Sequence, residues 1–461
     1  MKSPALPSSD IVRAPGPTYQ QILDLDTAHE IPSALRYCNS VDLGVAPCRA
    51  DRYTSADFFR KEIAKVWLKT WQFACREEEI PTPGDTHIFE IVGHSLLLCR
   101  QADGSIKAFR NICRHRGRKL AAVGGCKAQF RCPYHGMTWN IDGSFKSNPF
   151  AWDFPQIDPT DFSLLEARVE SWSGFVFVNF DPNAPALLSL LGAMPEHFRH
   201  WRIQDCYKAV HIGKVVSVNW KACAEAFLEG HHVATTHPQA LPYIACERTQ
   251  YDLISDHVTR FAGAVGVTGG LWEGELTEQQ RLEAMMSGGS RAGKPGQRAT
   301  VTLEPGETTR NYMADMGRAA LEAETGYDFS KACDADILDA ISYDIFPNFH
   351  LWGAFPQKIC YRFRPVGLGH EQTFLEVMLF KIKPKGSNPA PAQMRVLAED
   401  EPWALATEMG YLAGIYDQDQ SNLGPLQEGL RDLGDGLINF SRYQEMRCRN
   451  LHRMIDRYME S

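Results

Sequence analysis

The chain lacks most of the features that would assign it quickly. No apolar run approaches the ~20 residues that a membrane span needs. The first residues, MKSPALPSSDIVRAPGPTYQQ, hold Pro and Ser but no apolar core of the signal-peptide kind. They predict a mobile arm over 1–20 and cytoplasmic residence. Cysteine is sparse: 13 in 461 residues, an odd number, is too few for a disulfide scaffold and fits reduced thiols around a metal. Positive charge is not in excess. A formal net charge of -8 argues against nucleic acid, whose partners usually present a basic face. No G-x-G-x-x-G follows a strand pattern, so no nicotinamide or flavin site is legible, and no tandem repeat is visible. What remains is ordinary globular composition, 44% hydrophobic and 23% charged, over a length suited to two or three domains.

The texture changes along the chain. TSADFFRKEIAKVWLKT (54–70) has helical periodicity with Ser55 as N-cap, so 21–69 is expected to be a helical N-terminal part. HSLLLCRQADGSIKAFRN (94–111) reads as strand, Asp103-Gly104 turn, strand; TWNIDGSF (138–145) repeats the device at Asp142-Gly143. A small all-β domain is predicted over 70–165. From 166 to 461 the pattern is mixed. VNWKACAEAFLEGHHVATTHP predicts a helix that runs until Pro238 stops it. Residues 270–330 are polar and Gly-rich, and are expected to form a surface insertion or lid. YDIFPNFHLWGAF, KICYRFRPVG and TFLEVMLFKIKP predict an antiparallel sheet; 400–416 and 439–460 predict long helices. The fold class is α+β.

CRHRGRKLAAVGGCKAQFRCPYHG (113–136) pairs Cys113 with His115 and Cys132 with His135. Structural zinc is the first rival, but its usual pairs are Cys-x2–4-Cys, and mixed pairs in both halves are unusual. C-x-H followed by C-x2-H suits a cluster with two distinct irons, thiolates on one and imidazoles on the other. This is the Rieske [2Fe–2S] arrangement. Neutral imidazole makes such a cluster less negative and raises its potential. Gly117 and Gly136 suit tight loops that bring N–H groups near the sulfurs. Cys126, after Gly124-Gly125, has no histidine at ligand spacing and reads as a bystander.

The second cluster is N-W-K-A-C-A-E-A-F-L-E-G-H-H-V-A-T-T-H-P (219–238). Glu229 and His232 are three apart, on one face of the expected helix; His231 points ~100° away and reads as structural. His232 and His237 need a carboxylate to complete the facial triad of a non-heme Fe(II) site. YDQDQSNLGPLQEGLRD (416–432) offers Asp417 and Asp419. Phe227, Leu228, Val233, Phe346, Phe349, Leu351 and Trp352 are candidate walls for a hydrophobic substrate, with ordinary sheet core as the alternative.

C-R-H-R-G and C-P-Y-H-G resemble the Rieske domain of ring-hydroxylating oxygenase α subunits. Respiratory Rieske proteins carry an extra cysteine in each loop; Arg118 and Tyr134 stand there, which points to the oxygenase branch. The resemblance implies a helix-grip (START-like) catalytic domain beside the Rieske domain. It also selects Asp419, eight residues before Gln427 and the Gly429-Leu430 pair, as the third iron ligand. It implies that Glu229 bridges electron transfer to a Rieske histidine of a neighbouring subunit. Met137, Ala226 and Glu229 depart from the commonest family residues Trp, Asn and Asp. The implied activity is that of a terminal oxygenase. It would use O2 and electrons from a separate reductase, with or without a ferredoxin, to hydroxylate an aromatic or other hydrophobic substrate. N- or O-demethylation is the alternative. The implied assembly is a homotrimer or α3β3. An electron carrier with only the cluster, and a zinc-stabilised binding module, are the rival classes.

Overall fold

A computed structural model describes residues 12–287, 301–356 and 358–460. Most of the expected arm, residues 1–11, and the middle of the expected insertion, residues 288–300, lie outside the described residues. The chain divides into two compact units, Lys61–Ser189 and the remainder, 1–60 with Leu190–Ser461.

The unit Lys61–Ser189 is built of short strands: β1 Gln72–Arg76, β2 Asp85–Ile91, β3 His94–Arg100, β4 Ile106–Arg110, β5 Gly125–Cys126, β6 Gln129–Arg131, β7 Thr138–Asn140, β8 Phe145–Ser147, β9 Glu166–Trp172 and β10 Phe175–Asn179. Seven form an antiparallel sheet in the order β1-β10-β9-β4-β3-β2-β5, and β6-β7-β8 form a second. The expected boundary at 165 therefore cuts this sheet. Glu166 pairs with Phe109, and the fully buried run Phe175–Asn179 fills the place between β9 and β1. The two Asp-Gly turns share one construction. Gly104 and Gly143 take φ of 85° and 87°, and Asp103 and Asp142 each accept N–H and O–H bonds from the following serine. Leu97, Phe109, Phe130 and Trp139 pack with Cys113 and Cys132 in one core.

In the larger unit, α1 Tyr19–Leu23 starts at a Thr18 capping box and buries Tyr19, so the expected arm is anchored before residue 20. Ser55 accepts the Phe58 N–H as predicted, but the helix of 54–70 is not continuous. α2 Ala56–Glu62, at the point where the chain leaves this unit, passes into a π-turn, Ile63–Trp67, of the Lys61–Ser189 unit. Eight strands, β11 Cys206–Val216, β12 Gln250–Ser255, β13 Val258–Gly263, β14 Ala340–Ile345, β15 Phe349–Trp352, β16 Lys358–Pro365, β17 Thr373–Ile382 and β18 Arg395–Leu397, form one sheet in the order β12-β13-β14-β15-β16-β17-β11-β18. It is antiparallel except for the parallel edge pair β11–β18.

Among its helices are α3 Trp220–Glu225, α4 Val233–Thr236, α5 Glu278–Ser287, α6 Thr309–Thr325, α7 Leu412–Leu433 and α8 Met446–Glu460. Leu412, Tyr416, Leu423 and Leu430 of α7 join Ile212, Tyr361 and Val377 of the sheet in one core, the helix-on-sheet packing expected of a helix-grip domain. The long helix expected over 400–416 begins only at Leu412; two short 3-10 turns precede it. Among the described residues, no helix is long and apolar enough to cross a membrane.

Trp139 is fully buried and donates its indole N–H to Phe162 O at 2.8 Å. Trp139→Ala is expected to destabilise the Lys61–Ser189 unit by about 3–5 kcal/mol, read as a lower denaturant midpoint in equilibrium unfolding.

Candidate metal centres

The loops around Cys113 and Cys132 have the same backbone. Each cysteine N–H donates to the carbonyl five residues on, Arg118 and Met137, and its carbonyl accepts from Gly117 or Gly136. Both glycines sit at positive φ, 75° and 78°, which closes the turns at no steric cost. His115 and His135 lie edge to face, ring centroids 4.8 Å apart. Cys113 and Cys132 are buried free thiols in contact; burial, with Cys132 adding to it, pushes the Cys113 thiol up. His135 Nε2 meets the Arg116 guanidinium at 2.9 Å, while its Nδ1 is buried with no hydrogen-bond partner among the described residues. Two thiols, two imidazoles and an orphaned ring nitrogen fit a [2Fe–2S] group with mixed ligands. Tyr134 is exposed, lies tilted against the His135 ring and sits under Arg116. Met137 and Trp139 are both core residues, and Cys126 is exposed on β5.

The helix expected over 219–237 breaks. Asn219 caps α3 by accepting the Lys221 N–H, and regular α-structure ends at Glu225. Gly230 lies where a side chain would strike Phe261 (2.8 Å from a Cβ), and its N–H donates to Tyr251 Oη. Glu229 Oε2 then accepts the N–H of His232, the residue just before α4, at 3.0 Å and closes the turn that leads into it. Its Oε1 accepts from His232 Nδ1 at 2.6 Å, and Oε2 meets His231 Nδ1 at 3.0 Å. His231 thus shares the carboxylate of its neighbour, because this turn replaces the continuous helix that would have separated them. Burial works to raise the Glu229 carboxyl, but the bonds to His231 and His232 hold it well below the usual carboxylate range.

His237 leaves the helical region just before Pro238 (φ −125°, ψ 52°), as the residue preceding proline tends to. Its Nδ1–H donates to Gln418 Oε1 at 2.8 Å, and its Nε2 lies 2.8 Å from Asp419 Oδ1. His232 Nε2 is 3.7 Å from the same oxygen. All three ligand atoms lie within 4.8 Å of one another. Each imidazole has Nδ1 on a protein oxygen and Nε2 turned to the carboxylate, the orientation that metal-ligating histidines adopt. Asp419 is buried on α7. Asp417, about 200° around the helix, faces away and accepts the N–H groups of Trp403 and Ala404 (2.7 and 3.0 Å), which accounts for it as a cap. Gln418 was not singled out by sequence reasoning; its neighbour Asp419 was its only signal.

The trio opens into a cavity of about 500 Å³. Phe227, Val233 and Trp352 line it as expected; Leu228, Phe346, Phe349 and Leu351 do not. Side chains alternate along β15, so Trp352 faces the cavity and Phe349 and Leu351 face the core. Met316, Ala320 and Leu321 of α6 form another wall, so this part of the expected insertion borders the cavity.

A Rieske [2Fe-2S] domain model matches residues 70–158, and a model of the ring hydroxylating alpha subunit (catalytic domain) matches residues 196–461. The large oxygenase component of the naphthalene 1,2-dioxygenase system of Pseudomonas putida is 34% identical over 200 residues, 40% of this chain and 43% of that relative. The chlorobenzene dioxygenase subunit alpha of Cupriavidus sp. (strain PS12) is 36% identical over 192 residues, 40% and 42% of the two chains. The carnitine monooxygenase oxygenase subunit of Acinetobacter pittii (strain PHEA-2) is 30% identical over 189 residues, 40% and 51%. The match thus spans about two-fifths to half the length of these curated relatives. Among solved structures, a quaternary ammonium Rieske monooxygenase with L-carnitine has a TM-score of 0.63 at 18% identity, covering 90% of this chain and 97% of that one. Naphthalene 1,2-dioxygenase with indole bound has 0.60 at 20%, covering 92% and 94%. These likenesses show the fold. The catalytic-domain match covers more than half of the chain, which therefore belongs to the ring-hydroxylating alpha subunit family, with a Rieske [2Fe–2S] domain and a catalytic domain of the kind that binds mononuclear iron.

Proposed function

We propose that the chain is the terminal oxygenase component of a system that hydroxylates an aromatic or other hydrophobic substrate. The observation that carries this reading is the apolar cavity with His232, His237 and Asp419 in its wall. Cys113, His115, Cys132 and His135 would hold the [2Fe–2S] cluster, and His232, His237 and Asp419 the mononuclear iron. When bound, the cluster supplies single electrons and the iron activates O2. The chain's own residues do the rest. Glu229 and Gln418 fix both imidazoles through Nδ1. The apolar walls orient substrate and exclude water. The Tyr416 hydroxyl donates to Tyr361 Oη at 2.9 Å, which ties the ligand helix to the sheet beside the cavity.

Electrons would come from a separate reductase, with or without a ferredoxin. Inter-subunit electron transfer is described for the related quaternary ammonium monooxygenase. Glu229, its side chain 10% exposed beside His232, is the group we assign to that bridge in a homotrimer or α3β3 assembly, with cytoplasmic residence. N- or O-demethylation is a second reading, favoured by one feature. The rings of Phe227, Tyr361 and Tyr416 cluster with centroids 4.7–6.2 Å apart and offer aromatic faces to a quaternary ammonium group.

Asp419→Ala is expected to lower iron from about three to about two per chain, with the Rieske spectrum intact. Asp417→Ala is expected to keep all the iron and to cost about 1 kcal/mol of stability, as loss of a cap does; metal analysis with an unfolding curve separates the two. O2 uptake with a surrogate reductase decides between the readings: naphthalene turnover without carnitine turnover supports ring hydroxylation, the reverse supports demethylation, and neither would sink both probe classes.

A further inference from the structure

A second cavity, of about 380 Å³, reaches His232 and Asp419, but not His237, from another side. Glu229, His232 and Asp419 line both cavities. The second has room for about ten waters and is lined by Glu225, Asn422, Asn439 and Glu445 among others. Behind Glu225 stands a cluster the oxygenase reading does not use. Tyr53 Oη donates to Glu225 Oε1 at 2.8 Å, His452 Nε2 lies 2.8 Å from the same oxygen and 2.8 Å from Tyr53 Oη, and His452 Nδ1 faces Cys48 Sγ at 3.6 Å. Tyr53 and Cys48 are buried, and the side chains of His452 and Glu225 are 7% and 13% exposed.

We infer that His452, Tyr53 and Glu225 form a proton relay that feeds the mononuclear site through the second cavity. The inference rests on the oxygenase reading. Hydroxylation takes substrate, O2, two electrons from the reductase and two protons, and yields alcohol and water, or a cis-diol from an aromatic ring. Unproductive reduction of O2 to H2O2 consumes two protons as well. The electrons have a carrier in the Rieske cluster; in the second cavity Glu225, Asn422, Asn439 and Glu445 offer polar groups along which protons can pass. In the relay the His452 Nε2–H bond breaks toward Glu225 Oε1. Glu225 passes a proton to water in the cavity; His452 does not line that cavity, so a proton from bulk solvent returns to its Nε2 through the same carboxylate, which Tyr53 holds in place by donating to Oε1.

The groups that face the cluster are Cys48 from the N-terminal segment, with Arg449 acting on it, Lys221 of α3, whose Nζ lies 5.6 Å from the Tyr53 ring centroid, Cys448 of α8 with Arg447 beside it, Glu445 just before α8, and Glu229 across the cavity. Burial works against charge on His452, but hydrogen bonds to Cys48 and Glu225 prevail and raise it to about 9, so at neutral pH it holds the proton it would pass on. The pH dependence follows. Reaction with O2 should fall off as pH rises past about 9. Without the Glu225 carboxylate, burial dominates and the fall should come at lower pH.

The test is stopped-flow reoxidation of the dithionite-reduced holoenzyme by O2, with and without naphthalene as probe, from pH 6 to 10 in H2O and D2O. Glu225→Gln and His452→Gln are compared with wild type, each checked for iron content, Rieske spectrum and thermal stability. A 15N histidine titration follows His452 independently of turnover. We expect both variants to load iron, to slow reoxidation by roughly 100-fold, to change its solvent isotope effect, and to shift the pH profile down; in Glu225→Gln the His452 titration should move below neutrality. Glu225→Asp should recover part of the rate. Variants that keep the wild-type rate, isotope effect and pH profile would overturn the relay. Wild type that reduces O2 to H2O2 but oxidises no probe would count against the oxygenase reading alone, since peroxide formation still reports the relay.

Discussion

The Glu229 carboxylate accepts from three N–H groups, the backbone and imidazole of His232 and the imidazole of His231, and the histidine loop takes its shape from that convergence. Regular helix through 226–232 would carry these groups to different azimuths. Closing the chain around one carboxylate turns His232 Nε2 inward and starts α4, which delivers His237. The arrangement needs Gly230, where a Cβ would collide with Phe261. It also needs a fixed partner helix, and the Asn219 N–H supplies a link by donating to Gln427 Oε1, so the start of α3 is pinned to the helix that carries Asp419.

Much of the two centres was legible because the information is local. C-x-H and C-x2-H with a following glycine specify a short turn whatever surrounds it, and the observed loops share one hydrogen-bond pattern. The two Asp-Gly-Ser turns were legible for the same reason. The choice between Asp417 and Asp419 was different. Both lie on one helix two residues apart, and only the tertiary position of Trp403 and Ala404 shows which carboxylate is spent on capping. The family resemblance selected Asp419 where residue pattern alone left both open.

What was not legible depends on contacts distant in sequence. The break after Glu225 follows from the Phe261 ring and the Tyr251 hydroxyl, neither visible in the run of helix-forming residues at 220–229. The sheet continues past the expected boundary at 165 through pairings that are distant in sequence: β9 and β10 join β4 and β1, which lie some 60 to 100 residues earlier. Residues 309–325 looked like surface because they are polar overall. Their apolar residues are few but recur on one face, and that face borders the cavity.

One helix carries several of these tasks at once. Leu412, Ile415 and Tyr416 of α7 wall the cavity of about 500 Å³, Gln418 steadies His237, and Asp419 completes the trio within two turns. An α-helix transmits displacement along its axis with little give. A molecule that presses the wall outward therefore pushes on the rod that bears the carboxylate, so cavity and metal site have a shared mechanical tolerance. On the proposed reading, substrate size becomes a variable that the metal geometry can sense.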